Sequence, residues 1–270
     1  ICFFDEEVHK KKEFENFIES NMQQALDSQC FEMVLQPKMN LQTNSVIAAE
    51  ALVRWRLEDG TYLPPSSFVD IFEKNRFCSK LDFYMLKKAI QQIRKWIDMG
   101  INPVNISVNQ SKIVFYHENY ISELKSLLEE YNVSGSYITL EVLESTVIED
   151  IDIFNSILTE VKKLGFSVSL DDFGSGYSSL NVLSKLQIDE LKIDRIFLHT
   201  KSEVDNQRTR WILESIIDIA KKSQILVVVE GVESKQDDLF IKNLGADVGQ
   251  GYFYGRPLSI SAFNDLIETK

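Results

Sequence analysis

Carboxylates and amides recur at one kind of place along this chain, the ends of short apolar runs. Glu50 closes the apolar part of "VIAAEALVRW", Glu141 and Glu144 sit in "ITLEVLES", and Asp171 and Asp172 close "SVSLDD". Asn105 lies in "VNISVN", Lys192 and Asp194 in "LKID", Glu230 and Glu233 in "VVVEGVE", and Gln250 in "VGQGYF". A buried polar group costs on the order of 1–3 kcal/mol unless it is paired or bound to a cation. A turn accounts for Asp171 and Asp172 taken alone, since Asp and Gly are ordinary turn residues. It does not account for seven apolar runs ending the same way. Carboxylates gathered at one point repel in a low-dielectric site, and a divalent cation is the usual remedy. The three histidines, His9, His117 and His199, fall in no metal or nucleophile pattern. His9 and His117 read as solvated, and His199 follows a predicted strand. Oxygen ligands favour magnesium or manganese over zinc or copper.

The elements that must position these residues alternate. Apolar, β-rich stretches at 31–40, 46–55, 103–109, 136–143, 166–171, 189–194, 224–230 and 247–254 are separated mostly by amphipathic segments, clearest at 80–99, 118–131, 150–164, 206–222 and 235–243. "DFYMLKKAIQQIRKWIDMG" carries the 3.6-residue stripe and stops at Gly100, a natural C-cap. Strands alternating with helices predict a parallel α/β fold. The chain of 270 residues suits a (β/α)₈ barrel, which takes roughly 250 residues. Only "QTNS" separates the first two strands, which suits a tight hairpin and not a helical crossover. The expected fold is therefore a modified TIM barrel with its first strand antiparallel. In such a barrel the C-terminal strand ends form the active-site face, where the polar residues above would converge.

Composition sets outer limits. Hydrophobic residues make up 44% and charged residues 26% of the chain, as in ordinary globular proteins. A net charge of −12 leaves no basic footprint for a nucleic-acid polymer or an anionic membrane surface, while an anionic small substrate stays open if cations bridge it to the protein. "ILVVV" at 225–229 is typical of the longest apolar runs, far too short to span a bilayer. Cys2, Cys30 and Cys78 are odd in number and widely spaced, and no secretory signal is visible; a cytoplasmic, reducing setting is expected. The opening stretch reads as a strand-like fragment over residues 1–5, followed by a charged, solvent-exposed linker helix from Lys11 to Asp27.

In order, "EALVRW", "NISVNQ", "LEVLES", "DDFGSGYSSL", "LKIDR", "VEGVE" and "QGYFYGRP" resemble the successive motifs of the EAL-domain family, bacterial phosphodiesterases of the second messenger cyclic di-GMP. The resemblance runs from about Phe31 to the C-terminus. "ICFFDEE" resembles the end of a GGDEF domain and its linker, so residues 1–28 are expected to be the tail of a preceding domain and 29–270 the EAL domain.

The resemblance implies metal-dependent hydrolysis of one phosphodiester bond of cyclic di-GMP to linear pGpG. Glu50, Asn105, Glu141 and Asp171 would ligate one Mg²⁺ or Mn²⁺ ion. Asp171 would bridge to a second, held also by Asp172 and, directly or through water, by Glu230. Lys192 would position the attacking water or stabilise phosphorane charge; Glu230 is the rival for general base, and the sequence leaves the choice open. Arg54 would reach a substrate phosphate, its planar fork suiting bidentate recognition, with Gln36, Leu52 and Gln250 also at the nucleotide. Glu144 and Glu233 would support the site, Glu144 by anchoring the loop after Asp172, while Asp194 could orient the Lys192 ammonium. Family members commonly form homodimers, here through 173–180 and the segment after Lys192. Leu143, Ser175, Arg76 and Val229 depart from the family pattern at positions usually held by Thr, Thr, Gly and Ala. Three readings follow: an active phosphodiesterase, a weakly active or inactive cyclic di-GMP receptor, and a different metal-dependent barrel hydrolase. The intact acidic set favours the first, and Leu143 bears on the rate.

Overall fold

The period-two and period-3.6 patterns resolve into alternating strands and helices. The computed structural model describes residues 2–144, 151–174, 180–198 and 203–268. In chain order the elements are α1 (Cys2–Asp27), β1 (Phe31–Asn40), β2 (Ser45–Arg56), β3 (Tyr62–Leu63), α2 (Val69–Lys74), α3 (Cys78–Asp98), β4 (Asn105–Gln110), α4 (Lys112–Phe115), α5 (Tyr120–Tyr131), β5 (Ile138–Leu143), α6 (Ile151–Lys163), β6 (Ser167–Phe173), α7 (Leu180–Lys185), β7 (Glu190–Ile193), α8 (Glu203–Lys222), β8 (Leu226–Val229), α9 (Lys235–Asn243), β9 (Val248–Gln250) and α10 (Ile260–Glu268).

The strands follow the order β1-β9-β8-β7-β6-β5-β4-β2-β3, and pairing of β1 with β2 closes eight of them into a barrel with β3 outside on β2. β1 is antiparallel to both β2 and β9, whereas β2 and β4 through β9 pair in parallel. This is the modified TIM barrel the short first connection predicts. The β1–β2 turn is closed by Asn44 N–H donating to the Asn40 carbonyl at 2.9 Å.

The outer faces of the strands pack on the apolar stripes of the helices. In α3, Leu81, Met85, Leu86, Ala89, Ile90, Ile93 and Trp96 recur at helical spacing and are all buried. Such side chains stabilise by about 1.5–3 kcal/mol each on full burial. Gly100, at φ +73°, ends this helix in the left-handed conformation.

One expectation about the N-terminal segment is corrected and a second is refined. Residues 2–5 continue α1 instead of forming a strand. The rest of α1 is largely solvent-exposed, as expected, but one stripe docks on the barrel: Ile18 and Ala25 are buried in its apolar core, and Phe17 stacks on Trp55 with ring centroids 6.3 Å apart. The apolar residues among the charges of this helix form a stripe narrow enough to be overlooked. Arg76 holds the left-handed conformation at φ +62°, in keeping with the glycine expected there. His9 and His117 are exposed; His199 and Ser175 lie outside the described residues.

Candidate active site

Strand register assembles the polar residues at one mouth. Side chains two apart share a face, so Glu50 on β2, Glu141 on β5, Asp171 on β6 and Lys192 on β7 all enter the barrel. Lys192 is 1% exposed. Its Nζ lies 2.7 Å from Glu230 Oε1, 3.0 Å from Asp171 Oδ1, 3.0 Å from Glu141 Oε2 and 3.3 Å from Glu50 Oε2. Gln250 Nε2 donates to the same Glu50 oxygen at 2.6 Å and to Gln36 Oε1 at 3.4 Å. A cleft of about 420 Å³ opens above these groups, lined by Gln36, Glu50, Asp171, Asp172, Lys192 and Glu230 among others, within the usual range for a small-molecule site.

Adjacent residues on a strand normally face opposite sides, yet Asp171 and Asp172 both line the cleft. Asp172 has φ +55°, and the β6–β7 register shifts between Leu170 and Phe173. That break in alternation turns the second carboxylate to the mouth, and Asp is one of the few side chains that tolerates it. The Asp172 N–H donates to Asp171 Oδ1 at 2.8 Å, fixing the pair. Gly174 follows at φ +99°, where a Cβ would collide with the Phe197 ring.

Among the described residues, two clusters of three carboxylates each have oxygens lying within 4.8 Å of one another: Glu50, Glu141 and Asp171, and Asp171, Asp172 and Glu230. Asp171 belongs to both. Burial pushes the Asp171 carboxyl up to about 7 despite Lys192. Burial likewise raises Glu50, Asp172 and Glu230 above the usual carboxylate range. Glu141 goes the other way: burial opposes its ionisation, but Lys192 and Lys38 at its two oxygens hold it at about 2. Lys192 stays protonated, because its carboxylates outweigh its burial and raise it well above the ordinary lysine value.

Asn105 is not in this cluster. It begins β4 at the opposite end of the barrel, where its Oδ1 accepts from Thr139 Oγ1 at 2.8 Å and its Nδ2 donates to the Ser136 carbonyl at 3.2 Å. Asn109 shares its face but lies near the C-terminal end of the strand, and its Nδ2 donates to Glu50 Oε1 at 3.0 Å. The C-terminal position picks Asn109 out of the two asparagines of "NISVN". Asp194 does not orient Lys192 either; its Oδ1 accepts from Ile196 N–H at 2.7 Å and caps the turn Arg195–Phe197.

Leu52 lies apart from the main cleft, in a small one shared with Met85 and Asn109. Arg54 donates to the Val53 carbonyl at 2.7 Å, and partial burial lowers its guanidinium below the ordinary arginine value. Glu233 lines the cleft but is exposed. Glu144 is buried, while most of the loop it is expected to anchor, 175–179, lies outside the described residues. The sequence reading missed Lys38 and Glu190, both buried beneath the mouth. Strand alternation from Gln36 would have turned Lys38 inward.

Comparison with known proteins bears on this geometry. The EAL domain family matches residues 19–257. The bifunctional diguanylate cyclase/cyclic di-GMP phosphodiesterase MucR of Pseudomonas aeruginosa is 31% identical over 257 residues, 95% of this chain and 37% of that protein. The cyclic di-GMP phosphodiesterase PdeR of Escherichia coli is 30% identical over 264 residues, 97% of this chain and 39% of that protein. The chain thus spans under two fifths of the length of these relatives. A solved structure of the PaMucR phosphodiesterase in complex with c-di-GMP superposes with a TM-score of 0.84 at 32% identity, covering 91% of this chain and 99% of that one. The EAL enzyme Bd1971 in its cAMP and cyclic-di-GMP bound form gives 0.86 at 28% identity, covering 97% and 70%. Among the described residues no helix is long and apolar enough to cross a membrane. With the family's pattern running through nearly all of the barrel, and the barrel itself shared with solved members, the chain belongs to the EAL domain family.

Proposed function

We propose that this chain hydrolyses one phosphodiester bond of cyclic di-GMP to linear pGpG with the help of two divalent cations, Mg²⁺ or Mn²⁺. The charge balance of the barrel interior carries this reading. Glu50, Glu141, Asp171, Asp172, Glu190 and Glu230 bring six carboxylates, and Lys38 and Lys192 two ammonium groups. Fully ionised, the set has four negative charges in excess, which two divalent cations would neutralise. The donors are oxygens, as those ions prefer, and Gln250 Oε1 is a further buried oxygen with no hydrogen-bond partner among the described residues. Glu50, Asn109, Glu141 and Asp171 would hold one ion, and Asp171, Asp172 and Glu230 the other. When bound, such a pair polarises the scissile phosphate and makes hydroxide available from water near neutral pH.

The chain's own residues supply the rest. Lys192, kept charged by its carboxylates, is a fixed donor for the negative charge that develops on the phosphate. It cannot also be the base, which leaves Glu230 to take up a proton; at 21% side-chain exposure Glu230 is the most open of the carboxylates around that ammonium. Arg195 lines the cleft, and Arg256 stacks over the Tyr252 ring at 4.3 Å; with Arg54 they offer cations to a dianionic dinucleotide on an otherwise acidic protein. The relatives' names support the substrate. Their greater length supports a place within a larger signalling protein. The exposed Ile196, Trp211 and Ile212, beside the segment after Lys192, are the surface this reading assigns to a homodimer, to be tested by sedimentation.

Incubation of the purified chain with cyclic di-GMP and Mg²⁺ or Mn²⁺, followed by chromatography, tests the reading. Linear pGpG is expected, and Glu50→Ala should abolish it. Nucleotide binding with no product under either metal would identify a receptor instead.

A further inference from the structure

Below the mouth lies a second layer of charge that does not line the cleft. Lys38 on β1 is fully buried, and its Nζ donates to Ser107 Oγ at 2.7 Å, Glu141 Oε1 at 2.8 Å and Glu190 Oε1 at 2.9 Å. An ammonium has three N–H donors, so these three partners saturate it. Glu141 is shared between the layers: Oε1 takes Lys38 from below, and Oε2 takes Lys192 at the mouth at 3.0 Å.

We propose that Lys38 is a positioning residue, acting through Glu141 to present one carboxylate oxygen upward, an inference that rests on the cation-dependent reading above. With Oε1 tied, the Glu141 carboxylate cannot rotate both oxygens onto Lys192, and Oε2 stays on the ammonium it shares with Glu50 and Asp171. Glu190 balances the charge of Lys38, so the pin fixes Glu141 without adding net charge to the site. Ser107, on the strand that also carries Asn109, fills the third donor and ties the pin to that strand. β1 therefore supplies Gln36 to the mouth and Lys38 to the layer below it. Removing Lys38 alone would leave Glu190 as an uncompensated buried charge, so the informative variant removes both charges.

The test compares wild type, Lys38→Met/Glu190→Gln and Ser107→Ala. Each is titrated with Mn²⁺ by calorimetry in the absence of nucleotide, then assayed for kcat and KM with cyclic di-GMP. Partners behind a metal ligand typically contribute about 10–100-fold to metal affinity or activity, and the double variant should lose Mn²⁺ affinity in that range. Its kcat should recover at excess Mn²⁺ while KM for the nucleotide holds. A merely structural role would lower the unfolding temperature and leave Mn²⁺ affinity unmoved; equal affinity in the double variant and wild type overturns the proposal. Should the double variant not fold, Ser107→Ala, which removes a partner and no charge, must weaken Mn²⁺ binding, and unchanged binding there overturns it too. Wild type that binds no Mn²⁺ sinks the cation reading and this inference together. Wild type that binds, with indifferent variants, sinks the inference alone.

Discussion

Replacing Lys192 by Met keeps the apolar stem and removes the ammonium that four carboxylates surround at 2.7–3.3 Å. Each contact near 3 Å is worth about 5 kcal/mol of attraction at an effective dielectric of about 20. Most of that is offset by desolvation, and removing one partner from a buried ion pair costs roughly 3–5 kcal/mol net. At about 2–4 °C per kcal/mol for a chain of this size, Lys192→Met should melt about 6–20 °C below wild type in a chelator at pH 8. Burial raises Asp171 to about 7 even with Lys192 present, so protonation relieves the repulsion at lower pH and the gap should narrow at pH 5. Mn²⁺ at about 100 times the wild-type Kd, the same concentration for both proteins, adds about 2.7 kcal/mol to wild type. The variant should gain more than wild type, because no ammonium competes for its oxygens, yet it should not hydrolyse cyclic di-GMP. Thermal unfolding followed by circular dichroism, with chelator and with Mn²⁺, reads all of this. Equal melting temperatures in chelator at pH 8, or a Mn²⁺ shift no larger than that of wild type, would refute the reasoning.

Three further outcomes are expected. Asn109→Ala should lower activity by about 10–100-fold, whereas Asn105→Ala should leave turnover intact and cost only its bonds to Thr139 and Ser136; a steady-state assay in which Asn105→Ala is the worse enzyme would reverse the assignment. Burial raises Asp82 from 3.8 to about 7, against the bonds it accepts from Ser111. A carboxyl with a raised folded pKa binds more protons folded than unfolded, so its contribution is fully present below the unfolded value and is lost as pH rises through 4–7; Asp82→Asn should flatten that part of the stability–pH curve in urea titrations. Arg76→Gly should stabilise the chain by about 0.5–1 kcal/mol, since a left-handed non-glycine residue costs about 1–2 kcal/mol and glycine returns part of this as entropy. A lower urea midpoint would show that the Arg76 side chain contributes more than its backbone costs.

The barrel was legible because its signals are local. The strand at 31–40 and the helix at 235–243 match their predicted limits, and "QTNS" is too short for anything but a hairpin. The mouth was legible because a carboxylate ending an apolar run is conspicuous. What the sequence hid was distance along the strand. Asn105 and Asn109 share a face of β4, and only how far along the strand each stands separates floor from mouth. Lys38 escaped because its partners are 69, 103 and 152 residues away, a coincidence no local pattern encodes. α1 escaped because a thin apolar stripe under many charges scores as a solvated helix. Asp194 was misread because a capping aspartate and an orienting one look the same in "LKID".

The raised carboxyls at the mouth have a consequence for exchange with solvent. Asp171 titrates near neutrality, and Glu50 and Glu230 are displaced in the same direction. Without cations the site is therefore a small proton store: Asp171 keeps its proton to about pH 7, and Glu50 and Glu230 hold theirs above the usual carboxylate range. Loading divalent ions would discharge that store, one species displacing the other from the same oxygens. Occupancy would then steepen with pH, and in weakly buffered solution the arrival of metal would announce itself as acid.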